Sequence, residues 1–107
     1  MILRSWHGVV PNRLGDAFEQ YFRDVTVNEI KTLPGNLGAY FRREVQGAFT
    51  HVFLITYWDN WDSIRRFAGA TPHIAVTYPD DLKYELLSDP IVLHQECSTI
   101  QPWYGEP

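Results

Sequence analysis

Val52–Gly69, VFLITYWDNWDSIRRFAG, reads as a strand, a tight corner and a short helix. From Val52 to Trp58 there is hardly a polar side chain, and the residues are mostly β-branched or aromatic. Such a run predicts a strand with both faces covered. Asn60 is placed to cap the helix that follows, and Gly69 to end it.

Upstream, Phe49 opens this strand after Gln46-Gly47, a turn signal in which glycine supplies the positive φ of a hairpin. The partner strand is Gly38–Val45. It carries Ala39, Phe41, Arg43 and Val45 on one face and Tyr40, Arg42 and Glu44 on the other. Pro34-Gly35 closes a helix running from Leu14 to about Leu33. Its apolar positions are Leu14, Phe18, Tyr21, Phe22, Val25 and Ile30, and the β-branched cluster Val25-Thr26-Val27 predicts a bend or weak point. Ile2–Val10 reads as the first strand, stopped by Pro11.

Downstream, Thr71-Pro72 reads as the start of a short helix to about Thr77, and residues from Asp80 to Leu87 as a further turn or two. Ser88-Asp89-Pro90 reads as a loop, Ile91–Cys97 as the last strand, and residues 98–107 as a tail carrying Trp103 and Tyr104. The expected domain is residues 1–97.

The resulting order is β-α-β-β-α-β, an α+β ferredoxin-like split βαβ with a four-stranded antiparallel sheet. Helices cover one sheet face only. Val52-Phe53-Leu54-Ile55 and Ile91-Val92-Leu93 offer apolar groups to both faces, so a second copy is expected on the other, sheet against sheet, in a homodimer. Tail residues Trp103 and Tyr104 are candidates to cross to that copy.

Composition narrows the function classes. The chain has 107 residues, a formal charge of −4 and no basic cluster beyond Arg42-Arg43 and Arg65-Arg66, which disfavours nucleic acid. No stretch approaches a membrane span and the N-terminal apolar run is short for a signal peptide, so the expected location is cytoplasmic. Cys97 is alone, and the four histidines lack the close spacing of a metal site, so neither disulfide nor metal is expected. Phosphate-loop and GxSxG motifs are absent.

Several segments together resemble the antibiotic-biosynthesis-monooxygenase-like proteins of the dimeric α+β barrel superfamily. They are Arg4-x-Trp6-His7-Gly8, Pro34-Gly35-Asn36, Arg42-Arg43, Trp58-Asp59-Asn60, Ile64-Arg65-x-Phe67-Ala68-Gly69, Ala75-Val76-x-Tyr78-Pro79-Asp80-Asp81 and His94. The likeness spans residues 2–97. It implies a pocket between helices and sheet in each chain, with the dimer interface on the opposite face. It also implies oxygenation of a small aromatic or polyphenolic substrate without metal or flavin. The alternative is a non-catalytic small-ligand-binding homodimer. A haem-degrading relative is a third reading. Such enzymes place a ligating histidine near the position of Thr77, one helical turn from His73. They also have a tryptophan where this chain has Phe67 and an asparagine near His7; both departures weigh against it.

Cofactor-free oxygenation needs a base, groups that stabilise an anion and a dry enclosure. His7 is the first candidate base, because imidazole titrates near neutrality; the alternative is a hydrogen-bonded structural residue. Arg43 is a candidate anion stabiliser or an interface ion-pair partner. Tyr78 is a candidate proton donor or packs against the long helix. Trp58 and Trp61 are candidates to stack on a flat substrate or to lock the second helix on the sheet. Phe67 and His73 complete the candidate substrate contacts. His94 reads as structural.

Overall fold

The computed structural model describes residues 1–97, so the tail with Trp103 and Tyr104 lies outside the described residues. The strands are β1 (Ile2–Pro11), β2 (Asn36–Gln46), β3 (Phe49–Trp58), β4 (Leu87–Ser88) and β5 (Leu93–Glu96). All pair antiparallel in the order β2-β3-β1-β4, and β5 joins the same edge of β1 as β4. This is the expected split βαβ sheet, with its fourth strand in two pieces.

Register explains the break. Gly8 faces Ser88, and Ser5 faces Leu93, so Asp89, Pro90, Ile91 and Val92 stand opposite only Trp6 and His7. Pro90 has no N–H for a ladder. The excursion pairs elsewhere: Ile91 bridges Ile74, Val92 N donates to the His73 carbonyl at 2.8 Å, and Ala75 N donates to the Pro90 carbonyl at 3.0 Å. That pairing also corrects the reading of Thr71–Thr77. Instead of a helix, those residues make a turn and an extended run, because their polar backbone is claimed by residues 90–92. The strand expected at Ile91–Cys97 therefore starts two residues later, and Ser88 belongs to a strand rather than a loop.

The long helix comprises α1 (Gly15–Tyr21), a π-helical turn (Phe22–Val27) and α2 (Asn28–Thr32). The π turn includes the β-branched cluster singled out in the sequence. Its wider i→i+5 spacing rotates the following residues, so Thr26 and Val27 face inward and Val25 is exposed rather than inward. The shorter helix α3 (Trp61–Ala68) is capped by Asn60, whose side chain accepts from Ser63 N at 3.0 Å, and ends at Gly69. Asp62 pairs with Arg65 on its exposed side.

Even-numbered residues of β1 and β3 face the helices: Val10, Val52, Leu54 and Trp58 pack with Phe18, Phe22, Ile30 and Ile64. The odd-numbered residues, including His7, Phe53, Ile55 and Tyr57, are only half-buried on the open face. One chain thus covers only one face of the run Val52–Trp58.

The corner before β2 is locked to the corner before α3. Asp59 N donates to the Gly35 carbonyl at 2.9 Å, and Ser63 Oγ donates to Asp59 Oδ1 at 2.6 Å. Gly35 has φ +85°, and a Cβ there would lie 2.0 Å from Ser63 Oγ. Gly47, in the hairpin turn, also has positive φ (+61°), but a Cβ would meet nothing within 4 Å. Gly35→Ala should therefore destabilise the chain by about 2–4 kcal/mol, and Gly47→Ala by only about 1 kcal/mol. Urea unfolding of the two variants checks the order; equal losses would refute the close-packing account.

Candidate functional site

A cavity lies between the sheet and the helices, where the alternation of β1 meets the π turn. Trp6, Phe22, Leu54, Phe67, Val76 and Leu86 form its apolar wall. Trp6 stacks on Phe22 with ring centroids 5.4 Å apart, and its indole N–H donates to Ser88 Oγ at 2.7 Å. Four polar residues complete the lining: Arg4, Thr26, Tyr78 and Asp81. The free volume is about 40 Å³. That is room for about two or three waters, whereas a benzene ring occupies a cavity of about 150 Å³. An aromatic ligand therefore needs more room than the cavity holds in this state.

Arg4 is the unusual member. It is 4% exposed, yet among the described residues no carboxylate pairs with it. Its Nη1 donates to the Pro72 carbonyl and lies 3.1 Å from His94 Nε2, and its guanidinium lies 5.7 Å from the Phe67 ring centroid. Burial lowers its pKa to about 10, so it remains cationic at neutral pH. Burial and then the Arg4 charge, with a contribution from His73, lower His94 to about 4. Neutral His94 is thus the acceptor in that contact.

Two hydroxyls on the same wall have no partner among the described residues, Thr26 Oγ1 and Tyr78 Oη. A helical threonine hydroxyl usually reaches back to the carbonyl four residues earlier; Thr26, inside the π turn, makes no such bond. Burial pushes the Tyr78 phenol well above its ordinary range, Glu29, Tyr21 and Asp81 add to this, and Arg4 opposes it. Tyr78 therefore stays a proton donor. Burial also raises the Asp81 carboxyl, with Asp80 adding, against the Tyr78 backbone N–H that donates to Oδ2 at 2.9 Å. Asp81 and Tyr78 also line an outer groove with Leu82 and Ser88.

The residues singled out in the sequence separate. Tyr78 and Phe67 line the cavity. His7 does not: it stands on the open face, with Nδ1 2.9 Å from Asp89 Oδ2 and Nε2 2.9 Å from His51 Nδ1, its ring stacked on Phe53. Arg43 lies on the helix side of the β2 edge, paired with Asp16 at 2.7 Å and Glu19 at 3.3 Å. Trp58 is fully buried core, its indole bonded to Thr56 Oγ1 at 2.8 Å and its ring stacked on Phe67. Trp61 bonds Glu96 at 2.7 Å and packs against His94. With exposed His73 it borders a separate surface groove. Arg4, Trp6, Thr26 and Asp81 were not singled out as site residues. Arg4 had a legible signal, since it shares the alternation of Ile2, Trp6, Gly8 and Val10 and so falls on the covered face. Among the described residues, no group of three or more His, Cys, Asp or Glu is placed to hold a metal ion.

No family model matches the chain, and no curated protein matches it by sequence. Solved structures share its fold. A candidate antibiotic biosynthesis monooxygenase from Deinococcus radiodurans superposes with a TM-score of 0.67 at 15% identity, covering 98% of this chain and 100% of that one. The haem degrader MhuD from Mycobacterium tuberculosis, solved with two haems in its active site, gives 0.63 at 18% identity, covering 95% and 100%. A second candidate antibiotic biosynthesis monooxygenase, from Bacillus cereus, gives 0.62 at 12% identity, covering 96% and 98%. At these identities the likeness establishes the α+β fold.

The Arg4–His94 contact makes a measurable pair. Replacing Arg4 by Gln should raise the His94 pKa from about 4 toward 6.5, read by NMR titration of its ring protons. Because the folded value lies below the unfolded one, His94 disfavours folding as pH falls from about 6.5 to about 4. His94→Gln should remove that part of the stability slope. An unchanged slope would rule out this coupling.

Proposed function

We propose that the chain is a cofactor-independent oxygenase of a small phenolic or polyphenolic aromatic, acting in the helix–sheet cavity. The observation that carries the reading is the lining of that cavity: aromatic walls, a buried cation and a carboxyl of raised basicity. An electron-rich aromatic, once deprotonated, reacts with dioxygen directly, and the protein needs only to bind, deprotonate and enclose it.

In this scheme Asp81 takes a proton from an activated CH2, as in an anthrone or in the keto form of a phenol with a free ring position. The carbanion form of the substrate bonds through carbon to dioxygen, giving a hydroperoxide once a proton returns. Loss of water from the hydroperoxide leaves a carbonyl. A CH2 group and O2 thus become C=O and H2O, the substrate supplying the electrons and dioxygen accepting them. Arg4 favours the anionic form electrostatically. Tyr78, held protonated, donates to a developing oxyanion. His7 and Arg43, proposed from the sequence for base and anion roles, lie away from this cavity, and those roles pass to Asp81 and Arg4. The fold shared with candidate monooxygenases supports the reading.

The same proposal includes a second copy on the open sheet face, where Tyr40 and Leu93 are 68% and 69% exposed beside half-buried Phe53 and Ile55. No helix of the described residues is long and apolar enough to cross a membrane. Sedimentation should give a dimer, and Ile55→Asp should give monomer; a monomeric wild type would overturn this part.

Oxygen uptake with a panel of hydroquinones and anthrones tests the chemistry. Wild type should consume oxygen. Asp81→Asn should slow uptake by about 10²-fold or more, the usual contribution of a positioned base, and His7→Ala should leave it nearly unchanged. Binding without uptake would favour the non-catalytic alternative. Loss of activity only in His7→Ala would return the base to the open face.

A further inference from the structure

Donor capacity around the cavity exceeds what a phenolate alone uses. Arg4 spends only Nη1 on the Pro72 carbonyl and on His94. Its Nε and Nη2 groups make no hydrogen bond among the described residues. Thr26 is 3% exposed with its hydroxyl unpartnered on the same wall, and Tyr78 presents a second unpartnered hydroxyl. All three donors belong to residues that line one small space. A phenolate offers a single oxygen, while a carboxylate offers two oxygens and about four lone-pair sites. A planar two-oxygen acceptor also matches the guanidinium fork.

Charge count selects among anions. Arg4 is the one cation among the lining residues, and Asp81 lines the same cavity. A dianion such as phosphate would meet one positive charge and a carboxyl nearby, so a monoanion fits better. The remaining walls include Trp6, Phe22, Leu54 and Phe67, suited to a flat apolar body.

We infer that the buried Arg4–Thr26–Tyr78 cluster is a carboxylate-binding subsite, and that the ligand is a small aromatic acid with its ring against Trp6 and Phe22. This rests on the cavity reading proposed above and names its substrate class as hydroxyaryl carboxylic acids; binding itself requires no turnover.

Calorimetric titration with 4-hydroxybenzoate, 4-hydroxyphenylacetate, their methyl esters and inorganic phosphate tests it. At least one acid should bind about tenfold or more tightly than its ester, the usual scale for hydrogen bonds to a charged group. Arg4→Gln should abolish that preference. Thr26→Val and Tyr78→Phe keep nearly the same shape and should each reduce it severalfold, which guards against an Arg4 variant that fails to fold. Equal binding of acids and esters, an acid preference that survives in Arg4→Gln, tighter binding of phosphate, or no binding of either acid up to millimolar concentration would overturn the assignment. Arg4-dependent acid binding without oxygen uptake would keep the subsite and remove the oxygenase reading. Uptake on hydroquinones with no acid preference would do the reverse.

Discussion

The pairing of β1 with β3 is the constraint on which the rest depends. Ten antiparallel pairs run from Ile2↔Trp58 to Pro11↔Phe49 without a shift. Side chains alternate with period two, so this register puts the even-numbered residues of both strands under the helices. A slip of one residue would turn one strand over, exchanging either Arg4 and Trp6 for Ser5 and His7 at the cavity or Val52 and Leu54 for Phe53 and Ile55 in the core. The hydrophobic pattern opposes that slip, since Val10, Val52, Leu54 and Trp58 are the residues packed with Phe18, Phe22, Ile30 and Ile64.

That register also buries a charge. Leaving a cation inside a protein without a counter-ion costs on the order of several kcal/mol, and the fold offsets it only in part. The Pro72 carbonyl, the ring of Phe67 and a neutral His94 each give the guanidinium a weak partner. None carries a negative charge. The two hydroxyls beside it are likewise buried without partners. Polar groups left in this state concentrate where a ligand completes them. The π turn belongs to the same pattern, because it brings Thr26 to the cavity at the expense of regular helical bonding.

The open face has its own polar device. The excursion of residues 89–92 sets Asp89 against His7, and His7 against His51, in one hydrogen-bonded row above Phe53. A histidine flanked by Trp6 and Gly8 on an apolar strand looks chemically active in sequence. Its partners are 82 and 44 residues away, and the bulge that delivers Asp89 arises from Pro90 and from pairing with residues 73–75, which no local pattern encodes.

Local chemistry in the sequence determined the element order, the helix caps, the hairpin at Gly47, the weak point in the long helix and the exposed apolar character of one sheet face. These follow from period, propensity and turn residues that act over a few positions. It also placed Tyr78 and Phe67 near a pocket through family likeness. Tertiary structure alone decided which strand face holds the cavity, that His7 and Arg43 lie outside it, and that Arg4 and Thr26 lie inside. A side chain's face depends on the register of strands distant in sequence, and its role depends on what those strands leave unpaired. Single-residue identity carries neither quantity. An arginine in the alternation of Ile2, Trp6 and Val10 was visible from the start, but only packing revealed that no carboxylate meets it.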